Sequence, residues 1–418
     1  MKQKQKTKQP NKQEIAFRYI SENYLDSNRL RRDLISDQVQ IQDATGTWRD
    51  FTTTDTNDIV CNCSIESGVQ VTQKEVQQVT LSSYVPGVNP LREYVLACDN
   101  PILYDPYKPN NVDWIDWLAQ QVTVEGDEND QLYWRMCFKK WFVAMVASWL
   151  DDKVVNHQVL ILIGPQGIYK TTWLEYLLPE ALRMYECKMG NSNYLSKDER
   201  LRVAEYGLIN LDEIDAYSTS QLNAMKSLIT TTDVSERAAY RYNKEKRIRI
   251  ASFCASGNKP EFLTDITGNR RWMPFKVTHI EDPRAISLPY ENIYAQALYL
   301  YNHGFNYWFD QEENKRLDEH NEDFRAQTNE EQLIPVFLAI PEENDTKAEF
   351  LTAAEISSLL VVKGDIKKPL CPSKLGVLLH KAGFQPKRTG KKRGFIVKVL
   401  SDNQVDINRN NEAKQDNQ

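Results

Sequence analysis

The chain has 418 residues, enough for two or three domains, and with 41% hydrophobic and 26% charged residues it has the composition of a folded globular protein. A net charge of −6 excludes a global basic field, so any nucleic-acid binding must come from local patches. The seven cysteines are scattered. Only Cys61 and Cys63 are close, and no second Cys or His pair completes a zinc site, so the thiols read as reduced and the protein as cytoplasmic, with no signal peptide and no apolar run long enough to span a bilayer.

Residues 1–14 are Lys/Gln-rich and read as a disordered tail. Residues 15–84 read as a small α+β domain. A helix over 15–24 leads to strands around a turn at 44–47, a polar stretch, and a second helix over 72–81. Tyr84 to Pro90 is punctuated like a linker. Residues 85–150 read as a helical segment leading into the next domain. Trp134 to Leu150 is apolar on most of its surface, and the spacing of its tryptophans places them in a core.

The central domain, 151–280, opens on Val159-Leu160-Ile161-Leu162-Ile163, an unbroken run that reads as a strand buried on both faces. Gly164-Pro165-Gln166-Gly167-Ile168-Tyr169-Lys170-Thr171-Thr172 follows, then an apolar-periodic helix. Strand, tight loop and helix are the context of a phosphate-binding loop, whose amides and helix N-terminus face anionic oxygens. Lys170 would reach the β- and γ-phosphates of ATP, and the Thr171 hydroxyl would ligate Mg²⁺. Tyr169 stands where that pattern has Gly; a tyrosine tolerates φ > 0 poorly and crowds the phosphates. Leu208 to Leu211 forms a second buried strand ending in Asp212-Glu213. Asp212 can join Thr171 on the metal, and Glu213 can orient and deprotonate the attacking water.

Ser218 to Thr230 reads as a helix, and Ser235 to Ile250 as a hairpin with a turn at Asn243-Lys244-Glu245. Arg241, Lys244, Lys246 and Arg247, interleaved with Tyr240 and Tyr242, equip it to grip single-stranded DNA. The strand Ala251 to Gly257 ends in Asn258, an amide able to sense the γ-phosphate or position water. Arg270 and Arg271 sit on a Gly-Asn turn before an apolar strand. In an oligomer such an arginine can reach a neighbour's nucleotide.

Residues 281–340 read as a helical extension, with helices over 290–302 and 311–328. Residues 341–400 follow a linker and read as winged-helix-like, with helices over 350–360 and 373–382 and a strand pair around Gly390. Lys387, Arg388, Lys391, Lys392 and Arg393 make that wing basic and suited to DNA phosphates. Residues 401–418 read as a second disordered tail.

Gly-Pro-Gln-Gly-x-x-Lys-Thr, Leu-Asp-Glu, the basic hairpin, the strand ending in Asn and Thr-Gly-Asn-Arg-Arg-Trp, in that order, resemble the virulence-associated protein E (VirE) family of P-loop ATPases from phages and mobile elements, related to superfamily 3 helicases and AAA+ proteins. The resemblance covers about 85–280. It implies an α/β P-loop core in an ATP-dependent DNA helicase or translocase, working as a homo-oligomeric, hexamer-type ring with DNA in its pore. Gly164, Gly167, Lys170 and Thr171 match the phosphate loop, Asp212 and Glu213 the metal and water pair, Asn258 the sensor, and Arg270 or Arg271 the trans-acting arginine. Lys244 and Lys246 fall at the pore hairpin's tip. Two alternatives stay open: a nucleotide- and DNA-binding assembly module with little turnover, and the ATPase part of a primase-helicase.

Overall fold

The computed structural model describes residues 11–109, 111–190, 196–236, 245–265, 268–342, 345–364, 371–401 and 404–405. The first unit is α+β. Helix α1 (Lys12–Ile20) starts at a capping box of Asn11 and Glu14. Strands β1 (Leu30–Asp33), β2 (Val39–Gln42) and β3 (Trp48–Asp50) follow, then α2 (Thr53–Ser67) and α3 (Gln73–Thr80). Strand β4 (Gly87–Val88) pairs with β1, giving the order β3-β2-β1-β4. The stretch expected as a linker is thus stitched into the first sheet. The polar stretch is a helix, α2, set by a capping box of Thr52 and Asp55 and stopped at Gly68 with φ 66°.

Helices α4 (Pro90–Ala97) and α5 (Trp114–Ala119), strand β5 (Val122–Val124) and the 23-residue α6 (Glu128–Leu150) lead into the core. Trp134, Trp141 and Trp149 of α6 are fully buried, and each indole N–H donates to a backbone carbonyl, of Ala119, Gln158 and Gly207. They are core residues, as their spacing predicts.

The central chain runs β6 (Val159–Ile163), α7 (Lys170–Glu175), β7 (Glu186–Met189), α8 (Lys197–Glu205), β8 (Leu208–Leu211), α9 (Thr219–Thr230), β9 (Asp233–Glu236), β10 (Glu245–Ile248), β11 (Ser252–Gly257) and β12 (Trp272–Ile280). The six-stranded sheet has the order β5-β12-β6-β11-β8-β7, parallel except for β5 at one edge. Every residue of β6 and β11 is buried. Leu160 and Leu162 pack on the side of α6, while Val159, Ile161 and Ile163 pack with Leu222, Met225 and Ile229 of α9. A strand covered on both faces has no polar side to show, which is why the run is unbroken. β9 and β10 form a separate antiparallel pair; its connecting residues 237–244, including the predicted contacts Arg241 and Lys244, lie outside the described residues.

Helices α10 (Tyr290–Asn302), α11 (Gln311–His320) and α12 (Asn329–Phe337) precede β13 (Leu338–Ala339), β14 (Ala348–Leu351), α13 (Ala353–Gly364), α14 (Pro372–Lys381), β15 (Pro386–Thr389) and β16 (Lys392–Val399). α11 ends at His320, short of the expected helix over 311–328. Phe350 and Leu351, expected to open a helix, are strand and pair with Ile396 and Phe395. β13, β14 and β15 all pair with β16, and the unit has its own apolar cluster. No described helix is long and apolar enough to cross a membrane.

Candidate active site

Strand order reverses beside β6. The chain leaves β6 for the far edge at β7, and leaves β11 to cross to β12 on the opposite side of β6. In an open parallel sheet such a switch point leaves a crevice at the carboxyl ends of the strands. A cleft of about 460 Å³ lies there. The loop after β6 contributes Gln166, Gly167 and Tyr169, and the start of α7 contributes Lys170, Thr171 and Thr172. Asp212 and Glu213 enter from the end of β8, and Ser256, Gly257 and Asn258 from the end of β11. Gly164, Pro165 and Ile168 shape the loop without lining the cleft. A Cβ on Gly164 would stand 2.4 Å from the Val277 carbonyl oxygen, so only glycine lets β12 run this close to the loop.

Lys170 is 7% exposed, and its Nζ donates to the carbonyls of Gly164 (2.7 Å) and Pro165 (2.6 Å) and to Asn258 Oδ1 (3.3 Å). Burial lowers its pKa, and the charges of Asp215 and Asp212 oppose that shift in part. Thr171 and Asp212, predicted as partners, meet: the Thr171 hydroxyl lies 3.4 Å from Asp212 Oδ1 and 3.1 Å from Ser256 Oγ. Ser256 donates to the same carboxylate oxygen at 2.7 Å. Hydroxyls beside a carboxylate are hard oxygen donors, the set that suits Mg²⁺.

Sequence patterns do not single out Ser256 or Asp215. Asp215 accepts from the backbone N–H groups of Asn258 and Lys259, both at 3.2 Å, and so ties the end of β8 to the end of β11. Its signal is faint: it is the third carboxylate of Asp212-Glu213-Ile214-Asp215. Arg284, on the loop after β12, also lines the cleft, and nothing in its neighbourhood of sequence marks it.

Two cleft residues hold left-handed backbone, Tyr169 at φ 67° and Glu213 at φ 51°. For residues with a Cβ this costs about 1–2 kcal/mol each. Tyr169 therefore takes the conformation that glycine would supply. Its ring is partly buried against the core and sits under the Arg284 guanidinium, 5.2 Å from the ring centroid. The ring still lines the cleft, at the side where Arg284 stands.

The remaining predicted residues lie elsewhere. Trp272 of β12 pairs with Val159 and Lys276 with Ile163, so Arg270 and Arg271 sit at the amino end of the sheet. Five residues of strand, about 16 Å, separate them from the loop. Lys246 is exposed and pairs with Asp233 at 3.3 Å. Arg247, expected to grip DNA, is instead half-buried: it pairs with Glu205 at 2.6 Å and donates to the Ile35 carbonyl of the first unit, so its guanidinium links two units. Lys387, Arg388, Lys391, Lys392 and Arg393 are all exposed, with Arg388 directly opposite Arg393 across the strand pair.

The virulence-associated protein E-like domain pattern matches residues 112–326, just over half of the chain, and takes in every cleft residue. The chain belongs to the virulence-associated protein E-like family. None of the curated proteins matches it. Among solved structures, it is similar to the apo structure of the NrS-1 C terminal region, at 12% identity over 92% of this chain and 99% of that one, with a TM-score of 0.42. The A form apo structure of the same region gives 12% identity, 90% and 98% coverage and a TM-score of 0.41. In this virulence-associated protein E-like chain the matched segment ends at residue 326, so the basic strand pair β15–β16 lies outside it.

Proposed function

We propose that the chain is an ATP-hydrolysing motor on DNA, a helicase or translocase serving replication of a mobile genetic element. In this reading 151–280 is a P-loop core, 341–400 a winged-helix-like DNA-binding unit, and the working state a homo-oligomeric ring. The observation that carries it is convergence: Lys170, Thr171, Asp212, Glu213 and Asn258 come from three strand ends to one cleft. The family assignment supports the same reading.

Lys170 binds phosphate oxygens by exchanging its loop carbonyls for them; its desolvated ammonium favours a compensating anion. Thr171 and Asp212, with Ser256 behind them, hold Mg²⁺, whose charge supports phosphoryl transfer. Glu213 accepts the proton of the attacking water. Asn258, fixed through Asp215, positions that water or reads the terminal phosphate. Arg270 and Arg271 are too far from their own cleft to serve it, which supports action on a neighbour's nucleotide. The basic face of β15 and β16 contacts DNA phosphates.

The test is ATP hydrolysis by the purified chain, with and without single-stranded DNA, beside Lys170→Ala. Loss of turnover in the variant is expected; undiminished turnover would remove the phosphate loop from its role. A second reading, a nucleotide-binding assembly module with little turnover, draws on the engagement of Lys170 by its own loop. Nucleotide binding without hydrolysis, even with DNA, would decide for it.

A further inference from the structure

The cleft lining holds two cations in different settings. Lys170 lies buried at the floor, whereas Arg284 stands exposed at the wall, reaching in from the loop between β12 and α10. The Arg284 guanidinium is placed by two neighbours. Its planar head lies over the Tyr169 ring, 5.2 Å from the centroid. Its Nε and Nη2 donate to the two oxygens of Asp282, at 2.9 and 3.0 Å.

That ion pair joins residues two apart on one exposed loop, so it is a weak and readily exchanged contact. A phosphate chain held by Lys170 at the floor presents more anionic oxygens than one carboxylate, and the guanidinium fork matches phosphate as well as it matches carboxylate. The Tyr169 ring offers a surface on which the guanidinium can stay while its head changes partner. A glycine at 169 would supply the same left-handed backbone but no such surface.

We infer that Arg284 is a nucleotide-contacting residue acting in cis, which leaves Asp282 to bind the phosphate chain of an NTP, and that Tyr169 is the positioning residue that holds it at the cleft. The inference rests on the nucleotide-binding reading of the cleft. It gives the tyrosine at 169 a purpose: the ring is the arginine's platform.

The experiment is equilibrium binding of a fluorescent, non-hydrolysable ATP analogue with Mg²⁺ to the full chain. Arg284→Ala is expected to weaken binding roughly tenfold, the effect of removing one charge-assisted hydrogen bond. Arg284→Lys recovers part of it, lacking the fork. Tyr169→Gly weakens binding too, and adding Arg284→Ala to it costs less than in the wild type, because the two act as a unit. Asp282→Asn, which frees the guanidinium and removes a like charge, tightens binding. Arg284 is exposed, so its variants should melt with the wild type. If Lys170→Ala loses the analogue while Arg284→Ala keeps it at full affinity, the cleft reading stands and the role of Arg284 is overturned. If the wild type itself fails to bind, both fall together.

Discussion

The molecule carries cations on two antiparallel strand pairs, β9–β10 in the core and β15–β16 near the end, and sets them in different surroundings. In the first, the described cations are either paired with a carboxylate or buried. Lys246 faces Asp233, Arg247 is held by Glu205 and the Ile35 carbonyl, and Arg249, one residue past the strand, is 1% exposed. In the second, Lys387, Arg388, Lys391, Lys392 and Arg393 all face solvent, and none of them makes an ion pair among the described residues. Arg388 and Arg393 even stand directly opposite one another, an arrangement that costs stability unless an anion lies between them. Basic composition alone does not decide how a cation is exposed; the carboxylates and carbonyls that the fold brings to it do.

Arg249 gives the sharpest test, because its charge is wholly structural. It donates to the carbonyls of Ala251 (3.0 Å), Asn156 (2.8 Å) and Ile229, joining the end of α9 to the approaches of β6 and β11. Among the described residues no carboxylate meets it, and burial pulls its pKa down to about 9. Arg249→Ala would strand those acceptors and is expected to cost on the order of 3–5 kcal/mol, read as a shift of the urea midpoint. A shift within error would mean that the first strand pair is not anchored this way.

At the other pair the expected effect is on binding. Changing Lys387, Arg388, Lys391, Lys392 and Arg393 together to Gln should leave the urea midpoint nearly unmoved. It should lower the salt slope of duplex DNA binding by about 0.9 for each phosphate that is no longer neutralised, so by roughly 3 if three of the five touch phosphate. An unchanged slope would leave the exposed charge without a nucleic-acid role and erase the contrast between the two pairs.

What the sequence made legible follows the same division between local and assembled features. Val159–Ile163, Leu208–Leu211 and Ser252–Gly257 are readable as strands because burial on both faces forces unbroken apolar runs. Asp212 and Asn258 are readable because each stands at such a strand's carboxyl end. Helix α2 escaped because its residues are polar and its apolar stripe is weak; only Thr52, Asp55 and Gly68 mark its ends. Helix α12 escaped in the same way, its capping box of Thr328 and Glu331 being offset by Pro335 within it. The true partners of Arg247 lie 42 and 212 residues away, and Arg284 meets Tyr169 only after β12 has crossed beside β6. No local pattern encodes such meetings. The left-handed backbone of Tyr169 was half legible: the position demands what glycine does easily, and the ring's contact with Arg284 belongs to the fold.

The smallest effect belongs to Arg247, and it separates the two pairs most finely. Its ion pair with Glu205 is partly exposed, and its further bond to the Ile35 carbonyl ties the core to the first unit, where Tyr185 also donates to Asp33 at 2.9 Å. Arg247→Ala should therefore cost only about 1–2 kcal/mol, from one screened ion pair and one hydrogen bond to a carbonyl. Glu205→Gln should cost less than that, since it keeps the shape and loses only the charge. Neither should alter the salt slope of DNA binding, because the guanidinium is held by Glu205 and the Ile35 carbonyl. Should Arg247→Ala lower that slope by about one unit while sparing stability, the residue would return to the DNA-facing set, and the first pair would carry a nucleic-acid surface after all.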